Sequence, residues 1–196
     1  MSDSHPEHAP RHSKKQSSIR CFLGLALTAP ARETLSEAAA AWKRQPEAGA
    51  FRWIHPDNYH LTLAFLGQLP HSRIQQLTGL LARQCWLPGK LAVEIDSLIG
   101  FPAQARSRYL VAQVKASPSV LEMHGGLQTL LGEHGFPTEQ RSLRPHITLA
   151  RLRRGQMPPA IAPRPLELVY PVDRLILYAS HSTPEGARYS ALASFR

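Results

Sequence analysis

Short apolar segments separated by polar turns predict about eight β-strands along this chain. The segment "CFLGLAL" is continuously apolar, which is typical of a strand buried on both faces. "HLTLAFLG" and "RPHITLAR" instead begin with alternating polar and apolar residues, as half-buried strands do. The stretch from Pro158 to Pro171 is expected to be a loop or an edge strand, because proline cannot donate a ladder hydrogen bond. The remaining predicted strands are "FRWI", "LAVEIDSLIGF", "RYLVAQV", "RLILYAS" and "YSALASF".

Three other segments have apolar residues at the 3.6-residue period of a helix. The first helix starts at Pro30 and the second at about Pro70. The third has Ser117 as its N-cap, Pro118 at the first helical position and Gly135 as its stop. The apolar faces of the first two are expected to hold Leu35, Ala38, Ala39 and Trp42, and Ile74, Leu77, Leu81 and Cys85, respectively. The stripe of the third is expected to hold Leu121, His124, Leu127, Leu131 and His134.

The order of these elements predicts an α+β fold. Three helices alternate with the strands, and the two strands that contain His-x-Thr occupy comparable places in the two halves of the chain. Such a repeat suggests two α+β lobes facing each other. Residues 1–18 are polar and interrupted by Pro6 and Pro10, so we expect a disordered tail followed by a single domain over residues 19–196.

The composition is that of a globular protein, which we expect to be cytoplasmic. With 43% hydrophobic residues over 196 positions, the chain has ample material for a packed core. No segment approaches the roughly 18 apolar residues of a membrane span, and residues 1–18 lack the apolar middle of a secretory signal, so no membrane partner is expected. Cys21 and Cys85 are expected to be small core residues rather than a disulfide, and no Cys/His spacing resembles a zinc site.

The charge balance indicates an anionic partner. The formal net charge is +9, of which residues 1–18 contribute only +1, from Arg11, Lys14 and Lys15 against Asp3 and Glu7. Of the 23 basic residues, 18 are arginines, whose planar guanidinium suits bidentate recognition of phosphate. Five arginines and no Asp or Glu fall within fourteen residues around the second His-x-Thr: Arg141, Arg144, Arg151, Arg153 and Arg154. This cluster predicts a polyanionic ligand.

Each His-x-Thr strand has an apolar face and a chemical face. Successive side chains of a strand point to opposite sides, so His60 and Thr62 share one face, and His146 and Thr148 do the same. A single histidine on a strand is more often structural than catalytic. Two imidazoles around an anion can act as general base and general acid, since their unperturbed pKa of about 6.5 allows either protonation state. The threonine hydroxyls can donate hydrogen bonds to non-bridging phosphate oxygens, and no metal or other cofactor is required.

At these residues the sequence resembles a known family. "FRWIHPDNYHLTLAFLG" and "LRPHITLARL" look like the two signature segments of the two-histidine phosphoesterases, and more narrowly of the bacterial and archaeal RNA 2′,3′-cyclic phosphodiesterases, also called 2′-5′ RNA ligases. "IRCFLGLAL", "IGFPAQARSRYLVAQV" and "LILYASHSTPEGARYSALASFR" resemble the family's opening strand, middle hairpin and closing hairpin. The resemblance covers residues 19–196 and leaves the polar extension outside.

The resemblance implies a bilobal fold with a pseudo-two-fold axis, two lobes of antiparallel sheet, helices on the outside and a central cleft lined by the two His-x-Thr strands. It implies metal-independent hydrolysis of a terminal RNA 2′,3′-cyclic phosphate to a 2′-phosphate. His60 then matches the proton donor to the leaving 3′ oxygen, and His146 matches the base that activates water. The resemblance also implies the reverse type of reaction, an ATP-independent 2′-5′ ligation by the same residues. The expected partner is RNA with 2′,3′-cyclic phosphate ends, tRNA halves being one candidate, and a monomer is expected.

The positions of the other site residues follow less directly. Arg151 matches a family arginine that contacts phosphate. It is expected to bind the phosphate together with the hydroxyls of Thr62 and Thr148. On a regular strand, however, the odd offset from His146 would turn Arg151 to the opposite face, so its role requires a bend, bulge or turn soon after Leu149. Arg153 and Arg154 are expected to contact the RNA backbone farther from the scissile phosphate. Arg144, Trp53 and Tyr59 are also expected to contact RNA.

Three alternatives remain open from the sequence. A related phosphoesterase could use the same chemistry on a small nucleotide, such as a cyclic phosphate on a nucleoside sugar. A catalytically idle single-stranded RNA-binding module would keep the basic surface and the aromatic residues Phe51, Trp53 and Tyr59. A metal-dependent hydrolase with His60 and His146 as ligands is disfavoured, because neither motif contains Asp or Glu and hydrolytic metal sites normally include a carboxylate or a third histidine.

Overall fold

The computed structural model describes residues 17–87, 91–172, 174–184 and 186–196, and within them it contains nine strands and three α-helices. Residues 1–16 of the predicted tail lie outside the described residues. In chain order the elements are β1 (Ser18–Ala26), α1 (Ala29–Trp42), β2 (Phe51–Trp53), β3 (His60–Pro70), α2 (His71–Leu81), β4 (Leu91–Phe101), β5 (Tyr109–Val114), α3 (Pro118–Glu133), β6 (His146–Leu152), β7 (Arg164–Val172), β8 (Leu175–Thr183) and β9 (Gly186–Phe195).

The strands form two four-stranded antiparallel halves that meet in the middle. Their order is β7-β4-β5-β6-β3-β1-β8-β9, and the short β2 adds to β6. Reading outward from the centre, β6, β5, β4 and β7 in one half correspond to β3, β1, β8 and β9 in the other. This confirms the predicted α+β fold with two lobes of antiparallel sheet. We call the β1-β3-β8-β9 half the first lobe and the other half the second lobe.

The two lobes join where the His-x-Thr strands pair. The register between β3 and β6 consists of one residue pair, Leu61 with Ile147, which are the middle residues of the two tripeptides. Both side chains are fully buried, at 0% exposure, in a core cluster that also contains Leu35 of α1, Leu77 of α2 and Leu127 of α3. The helices therefore cover the face of the sheet opposite to the histidines, as expected of helices on the outside.

Several strand predictions are confirmed and one boundary changes. The Pro-rich stretch contains β7, an edge strand that pairs only with β4 among the described residues. β1 begins at Ser18, which pairs with Pro70, so the first strand includes one residue that was assigned to the predicted tail. Cys21 is buried as expected.

Two helix predictions need correction. Cys85 is exposed, because α2 ends at Leu81 and the following chain no longer keeps the helical period. In α3, Ser117 caps the helix by accepting a hydrogen bond from the Val120 amide, as predicted. The apolar stripe is displaced, however: Leu121 is 43% exposed, and the buried residues are Val120, Met123, Leu127, Leu130 and Leu131. The helix carries apolar residues on more than one stripe, and packing against the sheet selected this one.

No α-helix in the described ranges is both long enough and apolar enough to cross a membrane.

The orientation of α3 predicts very different costs for two identical substitutions. Leu127→Ala removes a side chain with 0% exposure and should lower the free energy of unfolding by about 2–5 kcal/mol. Leu121→Ala, on the exposed side of the same helix, should cost less than about 1 kcal/mol and serves as the matched control. Urea denaturation followed by circular dichroism measures both values, and equal losses would contradict this orientation.

Candidate active site

Four polar side chains of the two tripeptides lie on one face of the sheet, which we call the histidine face. Because Leu61 and Ile147 pair with their side chains in the core, His60, Thr62, His146 and Thr148 project to the opposite side. Continuing the antiparallel register places His60 beside Thr148 and Thr62 beside His146. All four are half-buried. The structure therefore brings both predicted histidines and both threonines to the junction between the lobes.

The same contact orients each imidazole, a hydrogen bond between its Nδ1 atom and a backbone carbonyl oxygen. The Nδ1 atom of His60 lies 2.7 Å from the carbonyl oxygen of Asn58, and Nδ1 of His146 lies 2.7 Å from the carbonyl oxygen of Arg144. A carbonyl oxygen only accepts, so Nδ1 carries the hydrogen in both rings. In the neutral form Nε2 is then an unprotonated acceptor, and in the protonated form it is a donor. Each histidine thus presents the same nitrogen for proton transfer.

Asn58 is itself fixed to the closing hairpin. Its side-chain nitrogen donates to the carbonyl oxygen of Ala187 at 2.8 Å, and its side-chain oxygen accepts from the amide of Tyr189 at 3.3 Å. The carbonyl that orients His60 is therefore anchored to β9. Asn58 and β9 are more than 120 residues apart in the sequence, so no local sequence pattern predicts this contact.

Aromatic rings fill the first lobe around His60. The imidazole centroid lies 4.7 Å from that of Phe22, 5.1 Å from Tyr189 and 5.7 Å from Tyr178. Gly24 allows the strands to approach closely, since a Cβ there would lie 2.8 Å from the carbonyl oxygen of Leu61 and 3.4 Å from Cδ2 of His60. These contacts leave the His60 ring little freedom to rotate.

His146 is supported differently, by one ring and one cation. Phe101 stacks on the imidazole with a centroid distance of 4.4 Å and an interplanar angle of 24°. The guanidinium of Arg144 lies 4.5 Å from the Phe101 centroid and donates to the carbonyl oxygen of Pro102 at 3.2 Å. Arg144 therefore lies beside His146, and its contact with RNA stays a prediction.

Arg151 reaches the histidine face through a β-bulge, as its predicted role required. Val111 pairs with Thr148 and Leu110 pairs with Ala150, so Leu149 is an extra residue in β6. Arg151 then lies between Tyr109 and Arg52 in neighbouring strands. Its Nε atom is buried and lacks a hydrogen-bond partner among the described residues. A buried guanidinium nitrogen with an unused donor is suited to an anionic ligand.

The same irregularity occurs in the first lobe. Gly24 pairs with Thr62 and Leu23 with Ala64, so Leu63 is the extra residue of β3. Phe65 then takes the place that corresponds to Arg151, and its side chain is 56% exposed. The two lobes thus share a bulge but differ in the side chain that it turns towards the site.

Both histidines are biased towards the neutral form. Burial lowers the pKa of His60 to about 4, against the opposing effect of the hydrogen bond to Asn58, and the positive charges of Arg151 and His146 lower it further. Burial also lowers the pKa of His146, and the charge of Arg144 acts in the same direction. Arg151 and His146 are therefore close enough to His60 for their positive charges to disfavour its protonation, and a bound anion would offset this repulsion.

Two of the residues predicted to stack on RNA are not on this face. Tyr59 is 5% exposed and belongs to the core, because it precedes His60 by one residue and points the other way. Trp53 packs against Trp42 of α1 at 5.9 Å, with the Lys43 ammonium 5.2 Å from its ring. Tyr59 is thus too buried to stack on RNA, whereas contact of the half-buried Trp53 with RNA stays a prediction.

Arg153 and Arg154 are exposed beyond the end of β6, in a turn that Gly155 permits with a φ of 81°. The position agrees with the predicted turn after "ARLRRG". Contact with RNA at these two residues stays a prediction.

Several residues around the site were missed from the sequence. They are Gly24, Arg52, Asn58, Phe101 and the aromatic residues Phe22, Tyr178 and Tyr189. Alternation identifies which residues share a face within each strand, but the order of the strands decides which faces meet. As for a metal, the described part of the chain contains no cluster of three or more His, Cys, Asp or Glu side chains.

Comparison with known proteins agrees with this geometry. The sequence model of the LigT-like phosphoesterase family matches residues 25–111. An RNA 2′,3′-cyclic phosphodiesterase from Thermus thermophilus is 30% identical over 182 residues, covering 90% of this chain and 89% of the relative. Another from Geobacillus stearothermophilus is 28% identical over 182 residues, covering 89% of this chain, which spans just 56% of that relative.

A solved structure extends the agreement to three dimensions. The crystal structure of E. coli LigT complexed with 3′-AMP superposes with a TM-score of 0.73 at 26% identity, covering 91% of this chain and 97% of that chain. The similarity to the Thermus relative extends over nearly the whole of both chains. With two His-x-Thr strands paired at the centre of two lobes, this chain belongs to the LigT-like phosphoesterases of the two-histidine superfamily.

Proposed function

We propose that this protein is an RNA 2′,3′-cyclic phosphodiesterase that hydrolyses a terminal cyclic phosphate to a 2′-phosphomonoester. The observation that carries the proposal is the pairing of Leu61 with Ile147, which sets two histidines with free Nε2 atoms on one face. Curated relatives have the corresponding name, and a related E. coli structure contains 3′-AMP. A catalytically idle RNA-binding module would not require two imidazoles that are both bound through Nδ1 and leave Nε2 available.

The reaction is an in-line displacement at phosphorus. Nε2 of His146 accepts a proton from water as the water oxygen attacks, and the bond from phosphorus to the 3′ oxygen breaks. Nε2 of His60 gives its proton to that oxygen, which leaves a 3′-hydroxyl and a 2′-phosphate. This assignment of base and acid follows the family resemblance. The two histidines end with exchanged protonation states, so one proton transfer between solvent and each ring completes the cycle.

The developing charge lies on the non-bridging oxygens of the phosphate. The hydroxyls of Thr62 and Thr148 donate to these oxygens, and the guanidinium of Arg151 adds a charge-assisted contact. The unpartnered buried Nε of Arg151 supports this role. An approaching phosphate also raises the pKa of both histidines, because an opposite charge favours the protonated form.

The same machinery supports ligation. A 5′-hydroxyl in place of water would give a 2′-5′ phosphodiester, and no ATP is consumed because the energy of the strained cyclic ester drives the new bond. RNA with 2′,3′-cyclic phosphate ends, including tRNA halves, is the proposed substrate class. Action as a monomer stays a prediction.

The proposed function is tested with an oligoribonucleotide that ends in a 2′,3′-cyclic phosphate, incubated with the protein in EDTA. We expect a 2′-phosphate as the product, resolved from the 3′ isomer by chromatography, with the rate unaffected by the chelator. His60→Ala and His146→Ala should each lower the rate about 10²-fold or more, as is usual when a general acid or base is removed.

His71→Ala is the matched control, because His71 is an exposed histidine at the start of α2. It should retain the wild-type rate. Formation of a 3′-phosphate, loss of activity in EDTA, or near-normal rates in either site variant would each contradict the proposed mechanism.

The lowered histidine pKa values predict an acidic optimum for kcat/KM. In the free enzyme one ring must be neutral and the other protonated, so the profile is bell-shaped and its maximum lies between the two macroscopic pKa values. Because the pKa of His60 is about 4 and that of His146 is also lowered, this maximum should fall below pH 6.5. Bound phosphate raises both values, so the maximum of kcat should lie at higher pH. Rates at saturating and subsaturating substrate measure both profiles. A kcat/KM maximum above pH 7.5 would contradict catalysis by two histidines with lowered pKa values.

Arg151 and the arginines of the following turn should differ in their dependence on substrate length. Arg151→Ala should lower turnover roughly 10-fold or more on a mononucleoside 2′,3′-cyclic phosphate, since it removes a contact with the reacting group. The double variant Arg153→Ala/Arg154→Ala should leave that small substrate unaffected. It should weaken binding of longer RNA and flatten its salt dependence, because those contacts release counterions. Similar effects of the two variants on both substrates would contradict this division.

A further inference from the structure

Arg52 of β2 lies on the histidine face, directly opposite Arg151 of β6. The register pairs these two residues, and cross-strand partners project to the same side of a sheet. The preceding residue, Phe51, is 1% exposed and belongs to the core on the other side, which agrees with this orientation. Arg52 itself is exposed. Two guanidinium groups therefore lie side by side on neighbouring strands of the site.

This pair of like charges favours an anionic ligand. In the part of the chain that the structure describes, neither Arg52 nor Arg151 forms a salt bridge with a carboxylate. Like charges directly opposite each other in a sheet repel and destabilise the pairing of the strands. A bound anion would offset this repulsion, and arginine is the side chain best suited to a phosphate.

The two guanidinium groups extend in different directions. That of Arg151 lies 5.9 Å from the ring centroid of Tyr109, on the side of β5, and its charge lowers the pKa of His60. That of Arg52 extends towards the hairpin between β8 and β9, since a Cβ added to Gly186 would lie 3.7 Å from its Cζ atom. The same hairpin packs against His60. Arg151 therefore serves the reacting phosphate, and Arg52 lies beside it at the hairpin.

The order of side chains along β6 separates the attacking side of the site from the donor side. His146, the proposed base, begins the strand, Thr148 lies beside His60, and Arg151 with its partner Arg52 follows. In an in-line displacement the attacking and leaving oxygens occupy opposite apices of the phosphorus. The donor ribose is attached to the leaving 3′ oxygen, which His60 protonates. Arg52 therefore lies at the end of the site that holds the donor nucleoside.

We propose that Arg52 binds the phosphate on the 5′ oxygen of the donor nucleoside, which in RNA is the phosphodiester that precedes the terminal nucleotide. This inference rests on the proposed function, because it places the cyclic phosphate between the two histidines. Arg151 contacts that reacting phosphate, so the next anion of the same strand meets the second guanidinium. The exposed Arg153 and Arg154 follow Arg151 in the chain and extend the positive charge in the same direction.

A contact with this phosphate changes binding rather than chemistry. The 5′ phosphate is bound equally in the ground state and in the transition state, so the contact lowers KM and leaves kcat unchanged. Arg151 instead contacts oxygens whose negative charge grows during the reaction, so its loss lowers kcat. The two neighbouring arginines therefore have different kinetic signatures.

The test compares adenosine 2′,3′-cyclic phosphate with the same compound carrying a 5′-phosphate. With the wild type, the 5′-phosphate should lower KM about tenfold, or about 1.4 kcal/mol, as expected of a hydrogen bond to a charged group. Arg52→Gln should abolish this difference in KM and leave kcat unchanged on both compounds. Arg52→Lys keeps the charge and should retain part of the difference. Arg83→Gln, at an exposed arginine after the end of α2, is the matched control and should retain all of it.

The dinucleotide ApA with a 2′,3′-cyclic phosphate end carries the same phosphate as a diester, and its KM should depend on Arg52 in the same way. A difference in KM that persists in Arg52→Gln would overturn the inference. A lower kcat of Arg52→Gln on adenosine 2′,3′-cyclic phosphate would also overturn it, because Arg52 would then act on the reacting phosphate. If the wild type hydrolysed none of the three compounds, the proposed function itself would fail.

Urea denaturation separates phosphate binding from a structural role of Arg52. Because Arg52 faces another arginine, Arg52→Gln should not lower the urea midpoint. Glu185 precedes Gly186 in the sequence and lies outside the described residues, so Glu185→Gln is measured in parallel. A midpoint lowered to the same extent by Arg52→Gln, by Glu185→Gln and by the double variant would show an ion pair between these residues and overturn the phosphate site.

Discussion

The pairing of Leu61 with Ile147 is the constraint on which the site depends. These two residues form the described backbone contact between β3 and β6, and through it the two halves of the sheet become one. Burial of their side chains in the core forces the flanking histidines and threonines to the other face. A slip of one residue in this register would bury the imidazoles and expose leucine and isoleucine, so burial of the apolar side chains maintains the geometry of the site.

The electrostatics of the site follow from where these residues lie. Carbonyl oxygens two residues earlier in the chain fix each Nδ1, and burial together with the arginines lowers the pKa of both rings. An anion near Arg151 would raise the pKa of both rings, because an opposite charge favours the protonated form. In the proposed mechanism, this shift allows one ring to act as an acid.

The two lobes share their topology and bulges but differ around the histidines. His60 lies among aromatic rings, and Asn58 ties it to β9. His146 has one stacked ring and a neighbouring cavity. Both imidazoles are therefore oriented in the same way through Nδ1, while the rings that pack against them differ between the lobes.

The sequence by itself determined most of the elements and which side chains share the histidine face. Period-two alternation identified His60, Thr62, His146 and Thr148 as sharing faces, and the odd offset of Arg151 required a bulge that the structure contains at Leu149. Such features depend on neighbours in the chain. Strand order, the stripe that α3 buries, the exposure of Cys85 and the burial of Tyr59 depend instead on contacts between distant segments. Only the tertiary structure decided these, because several local patterns were compatible with the sequence and the packing of one common core selected among them.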